Sequence, residues 1–260
     1  MVSPDWLYMA SGFCVGALVG MTGVGGGSLM TPVLILLFGI HPASAIGTDL
    51  LYASGTKAGG AIVHGWNRTV DWRVAGFLAC GSVPAAAVTL SILTQYDLSS
   101  RAVQHFLSVA LGAALVVTAL AVIFRPRILA WLARRVGEPT PAATTMLTVA
   151  TGALLGGLVS LTSIGAGALG VPALIALYPR LPTRQVVATD IAHAVPLTLV
   201  AGAGHLLLLS PIDLMVLGAL LLGSVPGIFV GSQLAVRVPD TVLRLALSGV
   251  LVLVGGRLIF

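Results

Sequence analysis

This chain of 260 residues predicts an all-α polytopic membrane protein built from two homologous halves. Three observations carry that prediction. The composition is 57% hydrophobic and 8% charged, with a mean hydropathy of +1.06, a balance that belongs to a chain dissolved in lipid rather than in water. Apolar runs recur at the length of about 20 residues that a helix needs to cross the hydrocarbon core. Landmarks of the first half also return, in order, in the second.

The elements follow in chain order. An apolar segment from Trp6 to Phe38 is interrupted by Gly23-Val24-Gly25-Gly26-Gly27-Ser28. Glycine relaxes the backbone, and a broken helix at membrane depth survives only against protein or beside a polar cavity. The expected form is a helical hairpin that dips in and returns, with Gly25 near its turn. Full spans are expected over Ala43 to His64, Trp72 to Leu93 and Ala102 to Phe124. The segment Arg125 to Pro141, with Trp131 and four arginines, reads as an interfacial cytoplasmic linker. A second interrupted segment, Ala143 to Tyr178 with Gly165 near its turn, precedes spans over Gln185 to Leu209, Ile212 to Val236 and Val242 to Ile259. The organisation is therefore a first repeat over 1–124, a linker over 125–141 and a second repeat over 142–260, each repeat holding one glycine-broken hairpin and three transmembrane helices.

Several classes drop out on the same grounds. Strands of an outer-membrane barrel alternate every second residue, and this chain does not. The start, Met1-Val2-Ser3-Pro4-Asp5, lacks the basic region of a cleavable signal, so the first helix is expected to be retained. Cys14 and Cys80 lie in apolar segments without metal-ligand spacing and read as packing residues. The net charge of +5 sits on arginines in the loops, where positive charge marks the cytoplasmic side of a membrane protein, so nucleic acid is not an expected partner. No cofactor and no bound metal are expected. The expected partners are a small anionic substrate and the lipid bilayer, with a homodimer as an assembly open to it on frequency alone.

The repeat is explicit. Gly16 to Pro32 aligns with Gly156 to Pro172 at a constant offset of 140 residues, matching Thr22 with Thr162, Gly25 with Gly165 and Gly27 with Gly167. Thr48-Asp49 then matches Thr189-Asp190, His64 matches His205, Asp71 matches Asp213, and Gly81-Ser82-Val83-Pro84 matches Gly223-Ser224-Val225-Pro226. With each first segment a hairpin, a half crosses the membrane an odd number of times and the second half is inverted. That arrangement places Arg68, Arg73, Arg125, Arg127, Arg134, Arg135, Arg180, Arg184, Arg237 and Arg244 on one side and Arg101 and Arg257 on the other, a split of ten to two. Parallel halves split seven to five. The positive-inside rule therefore predicts inverted repeats with both termini outside, a design that forms substrate sites near the midplane from interrupted helices.

The residues at those breaks suit an anion. A helix starting at Gly26 to Ser28 presents unpaired N–H groups and roughly half a positive charge from its dipole. Thr22, Ser28, Thr162 and Ser163 add hydroxyl donors without net charge, and Gly23, Gly25, Gly26, Gly27, Gly165 and Gly167 let an ion approach the backbone. Lys57, the single lysine, lies mid-span, where an ionisable side chain costs about 2.5 to 3.5 kcal/mol to insert and is usually functional. It either balances the anion or pairs with Asp49, two helical turns earlier. Thr48-Asp49 and Thr189-Asp190 either cap the broken helices or carry coupling protons. His193, one turn after Asp190, is placed to hydrogen-bond to it as a pH-sensitive group.

Two glycine-rich segments each ending in Pro, each followed by a small-residue helix bearing Thr-Asp, resemble the TauE/SafE group of sulfite and organosulfonate exporters. The likeness is strongest over Gly20 to Pro32, Ala45 to Tyr52, Gly81 to Pro84, and Ser160 to Pro172, Val187 to His193 and Gly223 to Pro226. It implies secondary transport of a small sulfur-containing anion, chiefly outward, across the bacterial cytoplasmic membrane, and no enzymatic activity. Asp49 and Asp190 stand where many relatives place a hydroxyl residue, which leaves the particular anion and proton coupling open. Proton-coupled uptake of similar anions and divalent-metal transport are the alternatives. Hydrolysis by Ser28 is disfavoured, because its repeat partner is Ala168 and no nucleophile motif surrounds it.

Overall fold

In the computed structural model, residues 5–22, 29–135, 140–235 and 239–259 are described. They form ten α-helices in the order α1 (Asp5–Thr22), α2 (Met30–Leu36), α3 (Pro42–Trp66), α4 (Trp72–Leu93), α5 (Arg101–Arg135), α6 (Pro141–Thr162), α7 (Gly170–Leu177), α8 (Thr183–Gly204), α9 (Leu214–Ala235) and α10 (Asp240–Ile259). A π-helical turn, His205–Leu209, extends α8. Helix starts are written in short polar caps. Asp71 accepts the N–H groups of Arg73 and Val74 at the start of α4, and its repeat partner Asp213 accepts those of Met215 and Val216 at the start of α9. Pro84 and Pro226 fall at matching places inside those two helices.

Six helical stretches are long and apolar enough to cross a membrane: Trp72–Leu93, Arg101–Phe124, Pro141–Thr162, Thr183–Leu209, Leu214–Leu234 and Val242–Ile259. This set differs from the anticipated one in two places. The first arm of the second hairpin, α6, is a full 22-residue helix, about 33 Å long, rather than a shallow dip. By contrast α3, at 25 residues, has the length but carries Asp49, Lys57 and a row of hydroxyls, and its first half, Ala43 to Ser54, is largely buried by the helices around it. Much of the outer surface is apolar, with Trp66, Leu154, Leu207 and Leu253 more than three-quarters exposed, as expected where the solvent is lipid. The anticipated linker is helical to Arg135 and continuous with α5.

Both broken segments do fold back. The Tyr8 ring near the start of α1 stacks on Phe38, just beyond α2, at 4.3 Å between centroids. At the same two positions plus 140 residues, Thr148 of α6 and Tyr178 after α7 share a hydrogen bond of 2.8 Å. The short second arm therefore returns to the level of the opening turns of the first, by a ring stack in one half and a hydrogen bond in the other.

Helices of one half pack chiefly on helices of the other. The pairs α1 with α9 and α4 with α6 exchange with one another under the repeat, while α3 pairs with its counterpart α8 and α5 with its counterpart α10. Glycines set the distance. Gly12 and Gly16 of α1 lie against the backbone of Leu220 and Ser224 of α9, and the matching Gly152 and Gly156 of α6 lie against Leu78 and Ser82 of α4. A Cβ on Gly16 would stand 2.6 Å from the Ser224 carbonyl oxygen, so each crossing requires glycine. In both pairs residue numbers rise together, so the helices run in the same direction. In α3 and α8, Gly47 meets His205 and Gly202 meets Leu51, the register of opposite directions.

Candidate functional site

The two broken helices and the central α3 and α8 bring the polar residues together. In the second half α6 stops because Ser163 takes a left-handed conformation at φ 59°, followed by Gly165 at φ 120°. Thr162 holds this turn: its hydroxyl donates to the Leu158 carbonyl at 2.7 Å and accepts the Ile164 N–H at 3.2 Å. Thr22 makes the same bond to Leu18 in the first half. Gly23, Gly25, Gly26, Gly27 and Ser28 lie outside the described residues.

Asp49 is fully buried and accepts both the backbone N–H of Thr31, at 3.2 Å, and the Thr31 hydroxyl. This puts a carboxylate at the start of α2, where the helix dipole stabilises it. The Ser163 hydroxyl faces the same carboxylate from the other half. Asp190 occupies the equivalent place against α7: a methyl on Gly170, the first residue of that helix, would overlap its Oδ1. That oxygen has no hydrogen-bond partner among the described residues. The two carboxylates are thus related by the repeat but differently satisfied.

Thr48 turns back on its own helix, donating to the Ser44 carbonyl at 2.8 Å, whereas Thr189 reaches across to accept the Asp71 N–H at 2.9 Å. His193 does not bond to Asp190, as its spacing had indicated. Its Nε2 lies 2.8 Å from the Ser82 hydroxyl of α4 instead. In the first half, Tyr52 stands at the place of His193 and Ser224 at that of Ser82, and the Tyr52 hydroxyl donates to Ser224 at 2.6 Å. Among the described residues no group of three or more metal-ligating side chains gathers around Asp190 and His193. Tyr52, Ser82 and Ser224 were missed as polar links, although the motifs that contain them were visible.

A cavity of about 260 Å³ opens beside these groups. Its polar lining is Thr22, Thr56, Lys57, Asp190 and Arg244, and the turn into α7 supplies Gly167 and Ala168. Lys57, half-buried on α3, lies within electrostatic reach of both Asp190 and Asp49. Of the anticipated substrate groups, Thr22, Lys57 and Gly167 line the cavity. Thr162, Ser163 and Gly165 are buried at the break instead. Thr56 and Arg244 were missed: Arg244 reads from the sequence as one more loop-proximal cation, and only folding carries it to the cavity wall. Among the described residues, Lys57 and Arg244 stand with Asp190, Thr22 and Thr56 in an otherwise apolar cleft, and its volume lies below the roughly 300 to 1,000 Å³ of drug-sized sites.

The chain matches the family model described as "Sulfite exporter TauE/SafE" over residues 8–258. It is 38% identical to the "Probable membrane transporter protein YjnA" of Bacillus subtilis (strain 168) over 249 residues, 95% of this chain and 97% of that one. The same organism's "Probable membrane transporter protein YdhB" is 28% identical over 90% of this chain and 92% of its own. A "Probable membrane transporter protein" of Xylella fastidiosa (strain 9a5c) is 30% identical over 70% of this chain and 67% of its own. No solved structure matches the chain.

Proposed function

Because the chain belongs to the TauE/SafE sulfite exporter family of membrane transporters, we propose that it is a secondary carrier expelling sulfite or a small organosulfonate across the cytoplasmic membrane by alternating access. The observation that carries this reading is the cavity between the halves, in which Lys57 and Arg244 face Thr22, Thr56 and the turn into α7. Lys57 and Arg244 in its wall support an anion as cargo, and the hydroxyls and main chain of the turn supply neutral donors that let the ion leave again. The exchanged helix pairs support reading the halves as inverted repeats, the arrangement in which one set of contacts swaps for its mirror as access alternates.

Export needs no coupling ion on energetic grounds. One negative charge moving out of a negative interior gains about 2.3 kcal/mol per 100 mV. A second reading, proton-coupled uptake, rests on Asp190, whose carboxylate borders the cavity with one oxygen unpartnered among the described residues. Asp49, already bound to Thr31, is the helix cap in either reading. Purified protein in proteoliposomes separates the two. Radiolabelled sulfite, then a sulfonate panel, is followed under an imposed potential and, separately, an imposed pH gradient. Flux on potential alone is expected. Flux on the pH gradient alone would assign the coupling role to Asp190, and no flux of any sulfur anion would remove the cargo assignment.

A further inference from the structure

The cavity has a counterpart that is shut. Under the repeat, its lining residues Gly20, Lys57, Gly60, Val187, Asp190 and Ile228 correspond to Ser160, Thr198, Ala201, Ile46, Asp49 and Ala86. All six counterparts are at most 1% exposed, whereas five of the six cavity residues are half-buried and Asp190 borders the open space. Ile46, Ala86 and Ala201 belong to one packed cluster with Leu50, Val159 and Leu197. Two polar contacts fasten the closed side. Asp49 accepts from Thr31, and the buried His205 donates from Nε2 to the Ser160 carbonyl at 2.9 Å.

Each fastener has an unmade twin on the open side. Asp49 and Asp190 each leave Oδ1 unpartnered among the described residues, but Asp49 accepts through Oδ2 from Thr31, whereas Val171 stands at that place opposite Asp190 and has no hydroxyl to offer it. His64, the partner of His205, is spent on Thr69 at 3.1 Å, while the place of Ser160 is taken by Gly20 in the cavity wall. Two halves related by sequence therefore stand in different states, one fastened and one open. Two packings of equivalent residues are the requirement for a bistable element.

We infer that the packed region around Ile46, Ala86, Thr198 and Ala201 is a second cargo cavity, which opens to the opposite face of the membrane when Asp49 and His205 release and Asp190 and His64 fasten in their place. This rests on the carrier reading above but not on the identity of the cargo. The second cavity differs chemically from the first, since Thr198 stands where Lys57 does. An anion passing from one to the other leaves the lysine's wall for one of hydroxyls, which assists release.

Single cysteines read the exchange directly. In a background with Cys14 and Cys80 replaced by alanine, Gly60→Cys reports the open cavity and Ala201→Cys its twin; a Cβ at Gly60 meets only Ile191, at an ordinary 3.6 Å. A membrane-impermeant maleimide is applied to either face of oriented proteoliposomes, without cargo. Gly60→Cys is expected to react from one face, and Ala201→Cys from the opposite face at least tenfold more slowly. Adding Thr31→Val, which removes the hydroxyl bond of the Asp49 fastener while leaving the backbone one and installs the residue type found at the matching Val171, is expected to speed Ala201→Cys and slow Gly60→Cys together, because one equilibrium governs both. Ala86→Cys repeats the measurement if Ala201→Cys fails to fold. Reaction of both reporters from the same face, or an inert Ala201→Cys and Ala86→Cys in protein whose Gly60→Cys reacts normally, overturns the inference. Labelling from both faces with no sulfur-anion flux would retain the exchange and remove only the proposed cargo, whereas flux with one-face labelling would do the reverse.

Discussion

Among single residues, Lys57 carries the sharpest expectation. It is the chain's one lysine and lines a cavity shared with Asp190, which under the proposed function makes its charge the first candidate for anion binding. Lys57→Ala is expected to lower sulfite flux at least tenfold in correctly inserted protein, a loss of about 1.4 kcal/mol of stabilisation or more, while Lys57→Arg retains part of it. Equal flux from all three proteins would remove Lys57 from the site. Tyr52 and Ser224 act differently. Their buried hydroxyl pair ties α3 to α9, as His193 and Ser82 tie α8 to α4. Removing one member leaves the other unpaired, so Tyr52→Phe and Ser224→Ala should each lower unfolding stability in detergent by about 1 to 3 kcal/mol. The double variant should cost less than the sum, and additive losses would show that the pair does not interact.

At the level of the helices, glycine has two separate uses in this chain. In α1, α4, α6 and α9 it lets parallel helices touch backbone to backbone, whereas Gly165 supplies a positive φ for the break. The first use is unforgiving, because the obstacle is main chain that cannot rotate away. Gly156→Leu should therefore destabilise the α4 and α6 pair by well over the 1 to 3 kcal/mol typical of overpacking, seen as lost monodisperse protein on size exclusion. Gly249→Ala, in α10 with nothing within 4 Å of its Cβ, should be neutral or gain up to about 1 kcal/mol. Were the two variants equally tolerated, close packing would not explain the glycine content. The breaks themselves were legible from the glycine clusters, and so was the hairpin form. The length of α6 was not, since a shallow dip and a full helix before a break share the same apolar composition.

Across the whole molecule, the arginine distribution and the direction of the paired helices point the same way. Ten arginines against two fall on one side if the halves are inverted, and α3 runs opposite to its own repeat counterpart α8, as inversion requires. An enzyme reporter that is active only outside the membrane, joined to the C-terminus, is therefore expected to be active; a cytoplasmic reporter signal there would reverse the orientation. Composition and the lengths of the apolar runs sufficed to read an all-helical membrane protein, because insertion into lipid depends on summed hydropathy and length, which are properties of the chain taken locally. Which polar groups meet was not legible in that way. The turn of His193 toward Ser82, the meeting of Lys57 and Asp190 in one cavity wall and the arrival of Arg244 beside them all join helices from different halves, and their partners are set by the rotation and crossing of packed helices. The unequal state of two nearly equal halves lies further out of reach. A repeated sequence encodes both packings, and the difference between them exists only in how the folded halves rest against each other.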